Sequence, residues 1–273
     1  MEQTATSSGS WADGDRYEAY VGRWSRPVAR RFLTSLAVPP GGRWLDVGCG
    51  TGALTETILE TAAPSAVLGV DPSADVVAHA AAQVTDPRAS FREGSGQAIP
   101  GEDAGFDAVV SGLVLNFVPD PPAALAEMRR VVRPGGVVAA YVWDYAEGMQ
   151  LIRRFWDAAA ERDPAARDLD EGSRFPLCRP EPLRELFTAA GLADVAVEEV
   201  VVPTVFADFD DYWAPFLGGT GPAPAYAMSL AELDRAALRE SLRARLPSEP
   251  DGSVHLTARA WSVRGRSSSH AGS

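Results

Sequence analysis

Leu45-Asp46-Val47-Gly48-Cys49-Gly50-Thr51-Gly52 is the stretch whose reading decides the fold. Residues 43–47 are mostly apolar and read as a short buried strand, while 54–62 carry the spacing of a helix. Three glycines at alternate positions join the two. A glycine lets the backbone turn tightly and approach a ligand with no Cβ in the way. The first turn of the helix adds unpaired N–H groups and partial positive charge, which suit a carboxylate or a phosphate. Asp71 ends the next strand, about 20 residues further on, where a carboxylate accepts hydrogen bonds from ribose hydroxyls. On these residues alone three readings stand. Gly48, Gly50 and Ala53 satisfy the dinucleotide pattern G-x-G-x-x-G/A, the loop could hold another nucleoside-bearing cofactor, or it could be a bare turn.

Working outward, strands are predicted at 66–70, 89–92, 106–111 and 137–142. They alternate with helices at 74–84 and 122–132, the latter closed by Pro134-Gly135-Gly136. Strand–helix alternation implies right-handed crossovers and a parallel sheet with helices on both faces. N-terminal to it, 15–36 has helical spacing; after Tyr145, helices are predicted at 149–161, 182–190 and 230–246. Two further β segments, 195–206 and 254–263, are expected to pair antiparallel at the edge. The fold class is therefore α/β: a doubly wound, mainly parallel seven-stranded sheet with an antiparallel last strand and helical insertions. The expected organisation is a tail and covering helix (1–40), a cofactor-binding core (41–145), substrate-side helices and closing strands of the same domain (146–264), and a flexible tail (265–273).

The chain has 273 residues, 46% hydrophobic and 23% charged, as in ordinary globular proteins. All 25 basic residues are arginine, and the formal net charge of −12 opposes general attraction to nucleic acid. The two cysteines, Cys49 and Cys178, give no metal-ligand spacing and no disulfide scaffold. No apolar run reaches the roughly 20 residues of a membrane span, and residues 1–10 lack a signal-peptide pattern. The expectation is a cytoplasmic protein without a metal, a nucleic-acid partner or a membrane span; the residues give no oligomeric state.

Several segments, in order, resemble the class I S-adenosylmethionine (SAM)-dependent methyltransferases. The glycine loop, with Asp46 two residues ahead of it, resembles motif I, and Leu68-Gly69-Val70-Asp71 the acidic motif II. Gly94-Ser95-Gly96-Gln97-Ala98-Ile99-Pro100 is similar to a "GDAExLP" segment, Phe106-Asp107-Ala108-Val109-Val110-Ser111 to motif IV, and Arg130-Val131-Val132-Arg133-Pro134-Gly135-Gly136 to "R-x-L-x-P-G-G". The similarity covers about residues 40–142 and is nearest to the ubiquinone/menaquinone-biosynthesis-like group. It implies a Rossmann-like fold and SAM as cofactor. By the same resemblance, the backbone at Gly48, Gly50 and Gly52 holds the methionine part, Asp46 its ammonium and Asp71 the ribose. Ser95 and Gly96 lie beside adenine, and Asn116 faces the cofactor or the methyl path. Ser95 stands where the family has an acid and Asn116 where it often has a histidine. Related enzymes fold the N-terminal segment over the cofactor, which makes Tyr20 and Arg23 candidates as well.

Methyl transfer from a sulfonium releases a neutral thioether, so the protein mainly positions the acceptor and excludes water; an un-ionised oxygen acceptor also needs a base. His79, His255 and His270 are poorly placed for that role. Asp144, just past the fifth strand, is a candidate, with helix capping as its alternative. Helical spacing makes Phe155 and Trp156 core residues, whereas Tyr212, Trp213 and Phe216, beside a Gly/Pro-rich segment, suggest the wall of an apolar pocket. Cys49 has no nearby histidine in sequence to activate it. The function expected is methyl transfer to a small apolar or aromatic molecule, with a catalytically silent SAM-binding protein or an NAD-dependent oxidoreductase as alternatives.

Overall fold

A computed structural model of the chain describes residues 20–219 and 221–268. His270 and residues 1–19 of the expected tail and covering helix lie outside the described residues. Seven strands form one sheet: β1 (Arg43–Val47), β2 (Ala66–Asp71), β3 (Ala89–Glu93), β4 (Phe106–Gly112), β5 (Val132–Trp143), β6 (Ala193–Phe206) and β7 (Val254–Arg266). Their order is β3-β2-β1-β4-β5-β7-β6. The pairs from β3 to β5 are parallel, and β7 runs antiparallel between β5 and β6. The sheet grows outward from β1 through β2 to β3, then restarts on the other side of β1 with β4. The crevice left at the carboxyl ends of β1 and β4 is where such sheets bind ligands.

The central strands are apolar on both faces because helices cover both. In β4 and β5, Ala108, Val109, Val110, Val138, Ala139 and Ala140 are buried. The helix Ser25–Leu36 buries Val28, Ala29, Phe32, Leu33 and Leu36, a stripe at spacings of three and four. Its Phe32 ring packs on Tyr141 with centroids 4.6 Å apart. Arg26 and Arg30 reach Glu56 and Glu60 of the helix Ala53–Thr61, each at 2.9 Å. The segment resembling "R-x-L-x-P-G-G" is structural. Arg130 gathers Glu127, Asp103 and the Ile99 carbonyl, while Arg133 meets Asp107, whose other oxygen accepts the Arg43 N–H at 2.7 Å.

Several expected boundaries move. Within the described part of the helix predicted over 15–36, a 3-10 turn at Gly22–Trp24 precedes the helix Ser25–Leu36. The helix Pro121–Val131 passes directly into β5, and the Pro-Gly-Gly residues form an irregularity between the pairs Phe106↔Val132 and Ala108↔Val137. β7 continues through Gly265, which pairs with Val138, so the polar tail starts later than its composition suggested. A 3-10 helix at Pro164–Leu169 and a short helix at Glu171–Arg174 have no counterpart in the sequence reading.

Asp144 has a structural role here. It is buried, bound by Arg259 of β7 through Nε at 2.7 Å, and its Oδ1 accepts the Glu147 N–H at 3.1 Å. Its acid is thus consumed in tying the end of β5 to β7, and the catalytic expectation for it is set aside. Removing the guanidinium strands a buried charge, so Arg259→Met should cost about 3 kcal/mol in urea unfolding. Adding Asp144→Asn should recover part of that loss.

Candidate active site

The glycine loop leaves the end of β1 and folds back onto the end of β2. The amides of Gly48 and Cys49 both donate to the Val70 carbonyl, at 2.7 and 3.0 Å, and the Gly50 amide donates to Asp71 Oδ2 at 3.1 Å. The other Asp71 oxygen accepts the Ser73 N–H at 3.0 Å. Gly48, Gly50 and Gly52 all have positive φ, at 75°, 53° and 93°. At Gly48 a Cβ would stand 2.6 Å from Val114 Cγ1, so glycine is needed for space as well as for conformation. At Gly50 a Cβ would meet nothing within 4 Å and would project into open volume.

That volume is a cavity of about 380 Å³, within the usual range of about 300–1,000 Å³ for small-molecule sites. Gly48, Cys49, Gly50, Thr51 and Asp71 line one side. Leu113, Val114, Phe117 and Tyr141 line another, and Ser25 and Ala29 of the N-terminal helix close it. Leu113 has a left-handed backbone, φ 60°, a conformation that costs a branched residue energy and is often kept at functional sites. Phe117 is 56% exposed, and its ring meets Phe175 edge-on at 5.2 Å.

Of the residues singled out by sequence, Gly48, Gly50 and Asp71 line the cavity. Gly52 starts the helix Ala53–Thr61 behind the loop. Asp46 is fully buried; its Oδ2 accepts the Thr55 hydroxyl at 2.8 Å, while its Oδ1 has no hydrogen-bond partner. Burial pushes this carboxyl up to about 7; the Thr55 hydrogen bonds oppose the rise and the Asp71 charge adds to it. Asn116 sits in a 3-10 turn, Leu115–Phe117, between the lining residues Val114 and Phe117, with its Nδ2 buried and unpartnered. Ser95 and Gly96 form a small turn after β3, Ser95 bridging to Ala98 and Gly96 resting near Val47 and Ala124.

Neither Tyr20 nor Arg23 is among the lining residues. The Arg23 guanidinium lies 4.6 Å from the ring centroids of both Trp24 and Phe206 and binds Asp211 at 2.9 Å. Tyr20 packs edge-on against Phe216. Tyr212, Trp213 and Phe216, expected as a pocket wall, are instead buried core. Phe216 stacks on Phe155 at 4.5 Å, and the Tyr212 hydroxyl donates to the Leu151 carbonyl at 3.0 Å. Cys49 lines the cavity as a protonated thiol, since burial and the charges of Asp46 and Asp71 push it well up. His255 is exposed on β7 beside Ser253. Phe117 and Leu113 were missed; their one sequence signal is position, just past the carboxyl end of a predicted strand.

The site can be set against known proteins. A family model described as a methyltransferase domain matches residues 45–140. The chain is 29% identical to a trans-aconitate 2-methyltransferase of Deinococcus radiodurans, over 87% of this chain and 91% of that one. It is 33% identical to a demethylmenaquinone methyltransferase of Roseiflexus castenholzii, over 61% and 74%. Among solved structures, the Bacillus subtilis YcgJ protein matches with a TM-score of 0.56 at 18% identity, covering 88% of this chain and 98% of that one. Phosphoethanolamine N-methyltransferase 2 of Haemonchus contortus in complex with SAM matches at 0.58 and 16%, covering 94% and 57%.

The two glycines should separate folding from binding. Gly48→Ala should fold poorly, because both backbone and Val114 resist it. Gly50→Ala should fold with a loss of ~1–2 kcal/mol yet reduce binding of the site's ligand at least tenfold, as thermal melts and calorimetric titration would read.

Proposed function

Because this chain belongs to the class I SAM-dependent methyltransferases, with SAM as cofactor, we propose that it methylates a small neutral molecule, apolar or aromatic, that enters past Phe117. The observation that carries this reading is the wall of Leu113, Val114, Phe117 and Tyr141 facing the glycine loop across one cavity. Among the described residues that line it, Asp71 is the only charged side chain, so an anionic acceptor would find no counter-ion there. The trans-aconitate relative makes an anionic acceptor the reading to test against.

The residues fit the cofactor. The backbone at Gly48, Gly50 and Gly52 holds its amino-acid part, with the open space at Gly50 as the close approach. Asp46 offers the unpartnered Oδ1 to the ammonium, Asp71 takes the ribose hydroxyls, and Ser95 and Gly96 flank adenine. Asn116 directs its free amide toward the cofactor or the methyl path, and Tyr20 and Arg23 stabilise the N-terminal segment that closes the site. The bound cofactor supplies an electrophilic methyl group; the protein's share is alignment and exclusion of water.

Turnover read as S-adenosylhomocysteine release should appear with neutral aromatic acceptors and not with tri- or dicarboxylates. Release only with the carboxylates would overturn this assignment of acceptor class. Asp71→Ala should weaken SAM at least tenfold by calorimetry, and unchanged affinity would remove its ribose role. Asp46 sets a pH dependence. A cation binds its carboxylate form, and that form must first be generated below about 7. SAM affinity should therefore fall about tenfold per unit as pH drops from 7 to 5.5. Binding should release a proton in that window, and Asp46→Asn should bind weakly with a flat profile.

A further inference from the structure

The cavity wall opposite the glycine loop pairs a glycine at the end of β4 with a tyrosine in β5. Asp46 pairs with Val110, and Val110 with Ala139. Two residues further along, on the same face of the sheet, Gly112 pairs with Tyr141. Both line the cavity, as does Gly48 of the loop that follows β1. A Cβ at Gly112 would stand 2.6 Å from Tyr141 Oη and 2.8 Å from its Cζ. The phenol therefore lies across β4, over the place where any other residue would carry a side chain. Its hydroxyl end is directed from β5 toward β1 and the glycine loop.

The residue is held there from two sides. Phe32 of the helix Ser25–Leu36 packs on the ring with centroids 4.6 Å apart, and the Tyr141 carbonyl accepts the Leu113 N–H at 2.8 Å. Three residues with hydroxyls line the cavity: Ser25, Thr51 and Tyr141. The Ser25 hydroxyl donates to the Gly22 carbonyl at 2.6 Å, and Thr51 is exposed on the loop. Tyr141, 2% exposed, supplies the buried O–H at the end that Gly48, Gly112 and the N-terminal helix enclose. No arginine is among the described residues that line the cavity, so an anionic group at that end has to be met by neutral donors. A hydrogen bond to a charged group is among the stronger kinds, more so away from bulk water.

We infer that the Tyr141 hydroxyl donates a hydrogen bond to the carboxylate of the cofactor's amino-acid part, over the gap that Gly112 leaves. The inference rests on the reading above that the glycine loop holds this part and Asp46 its ammonium. Ammonium and carboxylate share one carbon, so a donor in the row beyond Asp46 meets the second group when Asp46 takes the first. The Tyr141 ring remains part of the apolar wall. One side chain thus fixes the cofactor with its hydroxyl and bounds the acceptor space with its ring, and Gly112 is glycine so that the phenol can lie between them.

The test is calorimetric titration with S-adenosylhomocysteine and with 5′-methylthioadenosine, which keeps the nucleoside and the thioether but lacks the amino-acid part. The wild type should bind S-adenosylhomocysteine at least about tenfold tighter. Tyr141→Phe keeps the ring on Phe32. It should weaken S-adenosylhomocysteine about tenfold, the worth of a hydrogen bond to a charged group, and leave 5′-methylthioadenosine within about twofold. Unchanged S-adenosylhomocysteine affinity in Tyr141→Phe, or an equal loss for both ligands, overturns the role of Tyr141 and leaves the loop reading standing. A wild type that binds both ligands alike, or neither, overturns the placement of the amino-acid part and this inference together. Should Tyr141→Phe not fold, Gly112→Ala is read instead. Its methyl group displaces the phenol, so the preference for S-adenosylhomocysteine should fall at least about fivefold, and an undiminished preference overturns the inference.

Discussion

The Val70 carbonyl accepts two amide hydrogens, those of Gly48 and Cys49, and the site depends on that convergence. It anchors the loop after β1 to the end of β2, places the Gly50 amide on Asp71, and turns the glycine backbone toward the cavity. A side chain at Gly48 would collide with Val114, the residue that forms the facing wall. The loop and the segment after β4 are therefore fitted to each other, and the cavity is the space between them.

The three carboxyls buried among the described residues show how differently one chemical group can be used. Asp144 is neutralised by Arg259 and locks β7 beside β5. Asp46 is desolvated, with one oxygen on Thr55 and the other unpartnered. Glu171 is desolvated but held by the Trp156 Nε1–H and the Ala223 backbone, its neighbouring arginine turned to Asp170. A buried ion pair ties two elements together, whereas a buried acid without a cation relies on hydrogen bonds to offset its desolvation.

The second half of the chain is built around aromatic packing more than around a pocket. Phe155, Trp156, Phe206, Tyr212, Phe216 and Tyr226 form a continuous set of ring contacts, and Arg23 joins it by lying over Trp24 and Phe206. This cluster holds the N-terminal segment and the helices after β6 over the carboxyl edge of the sheet. An aromatic run beside glycines and prolines carries the same composition whether it faces a ligand or another ring, so Tyr212 and Phe216 were indistinguishable from pocket residues until their burial was known.

The order of strands and helices was legible in the residues themselves, because hydrophobic period, glycine position and helix caps are local properties. So were the glycine loop and Asp71, which line the cavity from one turn and one strand end. Burial and pairing were not legible. Asp144 and Glu171 look alike in sequence, yet one meets an arginine 115 residues away and the other the indole of Trp156. Phe117 became a cavity residue, and Tyr212 a core residue, only when the chain brought distant segments against them. Local periodicity writes itself along the chain, while solvation and charge pairing are set by neighbours in space, and only the tertiary structure supplies those.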